Sequence, residues 1–266
     1  MANSQLAQLL TNKRIIVTGG TSGIGRAVVE SVAAAGGDVA FCGLTDDGAD
    51  EVRAVVEAAG GHAFFRAFDL RDREAARRFT NDAIDFLGGL DGLVNNAGAN
   101  FWTGVNGATY EGIQTCFEVN FYSAWAVSQA AYGALKGAGG GVVVNLASIH
   151  AQRTLPGVFP YNVSKAMMVA MTQSMALEWG PDNIRAVAIA PGLIRTGLLD
   201  EYLARHEDPA AELARMEGHY PGGRSGDPED VASLIVFLLS GVSRFISGNT
   251  ILVDGGISGL MESPDL

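Results

Sequence analysis

Short, continuously apolar runs alternate along this chain with longer stretches of helical periodicity, and no other feature narrows its possible folds as far. The runs are Arg14–Gly19, Asp38–Gly43, His62–Asp69, Leu90–Asn95, Gly141–Ser148, Ile184–Pro191 and Thr250–Asp254. Most are hydrophobic throughout rather than at every second position, the pattern of parallel strands covered on both faces. Between them lie helix candidates. Ala75, Phe79, Ala83 and Phe86–Leu87 recur at helical spacing behind Asp72, a candidate N-cap. Asp227–Pro228–Glu229 opens a stretch to Ser240 with a cap, a proline at the first helical position and an acidic first turn. Strand–helix alternation of this kind predicts an α/β fold: one doubly wound parallel sheet, right-handed crossovers, helices on both faces.

The 266 residues, 48% of them hydrophobic, suffice for a sizeable core, and one domain over 1–266 is expected. Thr196–Gly226 breaks the rhythm, being polar, helical in parts and inserted after a strand. It reads as a surface excursion or, as we adopt here, a substrate lid at 196–226 above the strand ends. A formal net charge of -11 speaks against nucleic acid or an anionic membrane as the main partner. Cys42 and Cys116 are too few for a disulfide framework or a zinc site, and His62, His150, His206 and His219 lack metal-ligand spacing. No metal is expected, and a reduced cytoplasmic setting is. The opening MANSQLAQLL has no basic segment ahead of its apolar residues, and no run approaches the roughly 20 apolar residues of a membrane span.

Ile15–Val28 (IIVTGGTSGIGRAV) runs from a hydrophobic strand through glycines into a helix. Gly19 permits the tight turn, Gly23 lets backbone approach a pyrophosphate, and Gly25 lets the helix pack closely on the strand. The helix N-terminus then offers free N–H groups and a positive dipole end to phosphate. Between a strand and a helix, at the start of an α/β chain, such a loop points to a dinucleotide.

The spacing Gly-x-x-x-Gly-x-Gly is looser than the standard dinucleotide fingerprint. It is accompanied by NNAG (Asn95–Gly98), Asn120 in EVNF, Ser148 in LASIH, Tyr161 and Lys165 in PYNVSK, PGLIRT (Pro191–Thr196) and VDGG (Val253–Gly256). Together these resemble the short-chain dehydrogenase/reductase family over essentially the entire chain. The resemblance implies a Rossmann-type sheet, oxidoreduction at CH–OH groups with NAD or NADP, and Asn120, Ser148, Tyr161 and Lys165 as catalytic tetrad. It places the cofactor on Gly19, Thr21, Ser22, Gly23, Ile24 and Gly25, on Asn96, Ala97 and Gly98, on Tyr161 and Lys165, and on Pro191, Gly192, Ile194 and Thr196. Asp69 and Leu70 resemble the pair that brackets adenine, and Leu44 stands where an arginine often binds a 2′-phosphate. A homotetramer is also implied, built by helices around Thr109–Leu135 and Pro160–Gly180 and by the last strand. The apolar run AMMVAMTQSMALEW fits such an interface or a core helix equally.

Lys165, one of three lysines, lies four residues beyond Tyr161. On a helix the two share a face, with Cβ atoms about 5–6 Å apart. A free phenol titrates near about 10; an adjacent ammonium and a positive oxidised nicotinamide favour the phenolate and are expected to lower that value. Tyr161 is thereby a candidate general acid/base, with Ser148 orienting the substrate oxygen and Lys165 also holding the nicotinamide ribose. By resemblance, Asn120 anchors a water for proton relay.

The second strand ends with Gly43 at the family's acidic position and Leu44 at its basic one, and Ser22 is not basic either. Asp46 and Asp47 nearby would repel a phosphate, which favours NAD over NADP, although Thr45 can still bond a phosphate. Asn100, Phe101, Trp102, His150, Gln152, Arg153, Phe159 and Leu193 are candidate pocket residues. Of these Asn100, Trp102, His150 and Arg153 join Ser148 and Tyr161 as substrate contacts. Such polar equipment suits a sugar, sugar acid or polyol; the alternatives are a reductase of a keto or 3-oxoacyl compound, or a dinucleotide-binding sensor without turnover.

Overall fold

A computed structural model describes residues 8–260. Met1–Ala7, part of the opening read above for a leader, lies outside the described residues. The seven apolar runs form seven strands: β1 (Arg14–Thr18), β2 (Asp38–Gly43), β3 (Ala63–Ala67), β4 (Gly92–Asn95), β5 (Gly141–Leu146), β6 (Ile184–Pro191) and β7 (Thr250–Val253). All pair in parallel, in the order β3-β2-β1-β4-β5-β6-β7. Progression reverses between β1 and β4, so the crossovers leave to opposite sides and a crevice opens at the carboxyl ends of the central strands.

Along β1, Ile15 and Val17 point into one hydrophobic cluster and Ile16 into the other, all fully buried. Two covered faces are what a continuous apolar strand requires. One face is closed by α1 (Gly23–Ala34), α2 (Ala49–Ala58) and α9 (Pro228–Leu239). The other is closed by α3 (Arg73–Leu87), α5 (Ser123–Gly137) and α6 (Tyr161–Trp179). The expected caps are present: the Asp72 carboxylate accepts from Ala75 N at 3.0 Å, and Asp227 N donates to Asp230 at 3.0 Å.

Strands β1, β3, β4, β5 and β7 are one or two residues shorter at one or both ends than the apolar runs, and one helical stretch is broken. The ladder of β4 begins at Gly92 rather than Leu90, and just before it the Asp91 carboxylate accepts from Arg14 Nε (2.7 Å) and Arg14 N (3.1 Å). The stretch Thr109–Leu135 is not one helix. It is α4 (Tyr110–Phe117), a π-turn over Glu118–Tyr122, then α5. The 196–226 segment carries α7 (Gly197–Leu203) and α8 (Pro209–Glu217). No helix among the described residues is long and apolar enough to cross a membrane.

Candidate active site

The crevice above the switch point encloses about 1400 Å3. An ordinary small-ligand pocket holds roughly 300–1000 Å3, so there is room for a dinucleotide and a small substrate together. Its floor begins with the glycine turn. Gly19 and Gly23 have φ of 67° and 52°, in the left-handed region. Gly25 is required for a different reason: a Cβ there would stand 1.9 Å from Gly19 O, inside the contact between helix and strand. Ser22 precedes α1 without capping it by its side chain, which leaves the first-turn N–H groups directed at the crevice.

Asn96 holds this turn from the neighbouring strand. Its carboxamide donates to Thr18 O and Gly19 O, both at 3.0 Å, while Thr18 Oγ1 accepts from Asn96 N and Ala97 N at 3.1 Å. Asn95 works in the sheet, donating to Ser128 Oγ (2.9 Å) and Asn145 Oδ1 (2.8 Å).

Past the glycine turn, Ser148, Tyr161 and Lys165 converge. Ser148 ends β5's exit and opens a short turn, its hydroxyl accepting from His150 N at 3.2 Å. Tyr161 is the first residue of α6, and one turn later Lys165 stands with Nζ 5.7 Å from the phenol ring centroid. That ammonium is buried and donates to Leu146 O at 2.9 Å. Gly98 faces both it and Asn120: a Cβ at 98 would come within 3.2 Å of Lys165 Nζ and of Asn120 Oδ1.

The protein's own groups, without a dinucleotide, act in the opposite sense to the expected lowering. Burial pushes the Tyr161 phenol up to about 12, against the opposing pull of the Ser148 hydroxyl, and pushes the Lys165 ammonium down to about 8. Desolvation is the largest cause at both groups, because both partners of the pair sit in the same dry wall. Burial likewise pushes the His150 imidazole below its ordinary value.

Asn120 sits within the π-turn, and both ends of its carboxamide are bonded: Oδ1 accepts from Ala99 N (2.8 Å) while Nδ2 donates to Ala99 O (3.0 Å) and Ser164 Oγ (3.0 Å). The side chain clamps the loop after β4 to α6. Ser164 and the π-turn carried no signal in the sequence.

Of the expected cofactor residues, Gly19, Thr21, Ser22, Gly23, Ile24, Leu44, Asp69, Leu70, Asn96, Ala97, Gly98, Tyr161, Lys165, Pro191, Gly192, Ile194 and Thr196 all line the crevice. Gly25 and Asn120 stand behind the wall. On the substrate side Asn100, Trp102, Ser148, His150, Arg153, Tyr161 and Leu193 line it, whereas Phe101, Gln152 and Phe159 do not. Trp102 is the hub of an aromatic cluster. Its ring lies 6.5 Å from Tyr161, 6.4 Å from His150 and 5.5 Å from Tyr202 of α7, each edge-on.

The adenosine end departs from expectation twice. A side chain at Gly43 would meet Thr21 Cγ2 at 2.8 Å and Thr45 O at 2.9 Å, so no acidic residue fits there. Asp46 and Asp47, read above as repelling a phosphate, lie outside the crevice wall, and Asp47 instead accepts from Thr45 Oγ1 at 2.9 Å. Arg71, which the sequence reading missed, lines that end and grips Asp69 through Nε at 2.9 and 3.0 Å.

The end of the crevice expected to hold the nicotinamide is braced by the 196–226 segment. Leu193 N donates to Tyr220 Oη at 2.6 Å, Ile194 pairs with Gly226, and Glu217 accepts from Arg195 (2.9 Å) and from Ser225 N (3.0 Å) and Oγ (2.6 Å).

A turn built for pyrophosphate, a phenol–amine pair and a hydroxyl along one continuous crevice can bind a dinucleotide and exchange a proton with a substrate oxygen beside it. Known proteins resemble the chain over most of its length. A family model described as enoyl-(acyl carrier protein) reductase matches residues 19–258. The chain is 34% identical to a tropinone reductase homolog of Arabidopsis thaliana, over 94% of its own length and 93% of the other. It is also 34% identical to the L-rhamnose 1-dehydrogenase (NAD(P)(+)) of a Sphingomonas species, over 94% and 98%. Among solved structures, a short-chain dehydrogenase/reductase from Serratia marcescens superposes with a TM-score of 0.87 at 30% identity, covering 94% of this chain and 100% of that one. Levodione reductase superposes with a TM-score of 0.91 at 25% identity, covering 95% and 100%. The chain therefore belongs to the short-chain dehydrogenase/reductase family, as an oxidoreductase of alcohol and carbonyl groups that works with a nicotinamide dinucleotide.

Proposed function

We propose that the protein moves hydride between a secondary alcohol carbon and the nicotinamide, with Tyr161 as the group that gives or takes the hydroxyl proton. The observation that carries this is the meeting of Tyr161, Ser148 and Lys165 on the crevice that starts at the glycine turn. When bound, the dinucleotide supplies the hydride acceptor and, oxidised, a positive ring beside the phenol. Ser148 orients the substrate oxygen. Tyr161, held at about 12 by burial, is a proton donor at neutral pH and a base only when positive charge is brought beside it. Lys165 holds the nicotinamide ribose, while Asn120 fixes the geometry of the wall behind. Replacing Tyr161 by Phe is expected to abolish turnover and leave dinucleotide binding, read by fluorescence of the reduced nicotinamide, within a few-fold. Turnover above about one hundredth of the parent rate would remove Tyr161 from this role.

NAD is the preferred cofactor in this reading. Ser22 and Leu44 bring no charge to the ribose, and the guanidinium on that wall, Arg71, is already bound by Asp69. The substrate is a hydroxylated compound, a sugar, sugar acid or polyol. Asn100, His150 and Arg153 on the pocket wall support this, as does the kinship to an L-rhamnose dehydrogenase and to the L-2,3-butanediol dehydrogenase of Corynebacterium glutamicum. The family description and a 32% identical dienoyl-CoA reductase of Bacillus subtilis favour the second reading, an acyl-thioester reductase. A substrate panel with both cofactors separates the two. In the same reading 1–266 forms one domain, α7 is the moving part of the lid, and the enzyme works as a homotetramer in the cytoplasm; exposed Trp125 and Leu177 on α5 and α6, and two buried free thiols, suit those last assignments.

A further inference from the structure

Four cationic side chains line the crevice: Arg71, Arg153, Lys165 and Arg215. Three are committed within the protein. Arg71 is bound by Asp69, Arg215 forks onto Glu212 at 2.7 and 2.8 Å, and Lys165 donates to Leu146 O. Arg153 makes no ion pair and no side-chain hydrogen bond among the described residues. In a chain of net charge -11, most arginines have found a carboxylate. Arg185, Arg205 and Arg244 have not, but none of the three borders the crevice, and Arg185 donates to two backbone carbonyls. The uncompensated guanidinium is therefore a property of the substrate end.

Its backbone placement ties it to the reacting centre. Ser148 opens the turn that carries it, with Ala151 N donating to Ser148 O and Arg153 N to Ile149 O, both at 2.9 Å. At a rise of roughly 2 Å per residue in such a turn, the five steps from Ser148 to Arg153 span roughly 10 Å, and a long side chain can return over most of that. A group a few bonds from the carbon that Ser148 orients is within its reach. Between them stands His150, whose imidazole burial keeps below its ordinary value, and above them the Trp102 ring.

We propose that Arg153 binds a carboxylate of the substrate, so that within the hydroxylated class the enzyme acts on a hydroxy or oxo acid, such as a sugar acid, in preference to the neutral sugar or polyol. Guanidinium and carboxylate match in plane and in number of donors, and a charge-assisted pair of this kind separates an acid from its neutral analogue by about 10- to 100-fold. Glu201 on α7 is an acidic wall residue without a salt bridge, and it would favour a cationic ligand instead. The proposal rests on the reading of Tyr161 and Ser148 as the reacting end.

The test titrates D-gluconate, glycerate and glycolate, each against its neutral alcohol (sorbitol, glycerol, ethylene glycol), into the protein alone and saturated with NADH. Titration calorimetry reports affinity for the protein alone, and bound nicotinamide fluorescence reports it in the NADH complex. At least one acid is expected to bind about tenfold or more tightly than its alcohol, with a preference that weakens as ionic strength rises. Arg153→Gln is expected to collapse that preference to about twofold, Arg153→Lys to retain part of it, and Glu201→Gln to preserve it. Equal binding of every acid and alcohol, or a preference untouched in Arg153→Gln, would overturn the assignment; so would a preference lost in Glu201→Gln alone. Tyr161→Phe separates this from the reading it rests on. Acid binding that depends on Arg153 without hydride transfer in any variant would keep the carboxylate site and sink the catalytic reading.

Discussion

Lys165→Met isolates the electrostatic cost of the buried amine. In the parent the amine is buried, bonded to Leu146 O at 2.9 Å, and displaced from 10.5 to about 8 by desolvation. Because the folded value is the lower one, the unfolded chain binds a proton that the native protein has released at any pH between the two. Stability therefore rises with pH across that window, and below about pH 8 the native state carries the full cost of a buried cation. The displacement corresponds to about 3 kcal/mol in full, of which about 2 kcal/mol develops between pH 7 and 9.5. The opposite displacement of Tyr161, up to about 12, removes stability as pH rises, but only above its unfolded value near 10, outside that interval. The Leu146 carbonyl orphaned in the variant carries a penalty independent of pH. The assay is urea unfolding of parent and variant at pH 7 and 9.5, comparing the difference between them at each. The parent is expected to gain about 2 kcal/mol on the variant between the two conditions. A difference that stays constant within about 0.5 kcal/mol, or moves the other way, would mean that the amine is not desolvated as the fold places it.

Two further substitutions test the framework around the chemistry. Gly25→Ala puts a methyl 1.9 Å from Gly19 O, so α1 must leave the strand; a loss of about 2–4 kcal/mol in thermal unfolding and at least tenfold weaker dinucleotide binding are expected, and parental affinity would contradict the packing. Tyr220→Phe removes the acceptor of the Leu193 N–H at 2.6 Å, costing about 1–3 kcal/mol at a segment proposed to face the nicotinamide; a roughly tenfold higher KM for the dinucleotide and melting lower by roughly 2–10 °C are expected, and an unchanged KM would uncouple the 196–226 segment from that segment.

The sheet was readable because parallel strands covered on both sides need apolar residues at every position, and Ile15, Ile16 and Val17 supply them on alternating faces. Helix starts were readable at Asp72 and Asp227, where a side chain must do local work for the backbone. The interruption at Glu118–Tyr122 was not. A π-turn spends one extra residue without changing the apolar period enough to notice, and its reason is tertiary: Asn120 must reach Ala99, 21 positions earlier, and Ser164, 44 positions later. The same limit hid Arg71 and Tyr220. Each looks like an ordinary surface residue until β3 and the 196–226 segment bring it to the crevice.

The phenol shows where local reasoning stops. Spacing on a helix correctly places Lys165 beside Tyr161, and charge next to charge would by itself favour the phenolate. The fold adds a term that the spacing cannot contain, namely that the same turn is pressed against β5 and loses its water. Desolvation penalises the charged form of both groups, so the tyrosine rises while the lysine falls, and at neutral pH the pair is a neutral phenol beside an ammonium made easier to deprotonate. Such a pair needs an outside charge to become a base. The position best able to supply one is the crevice itself, where Gly98 leaves the approach to Lys165 and Asn120 open because a single methyl group there would close it.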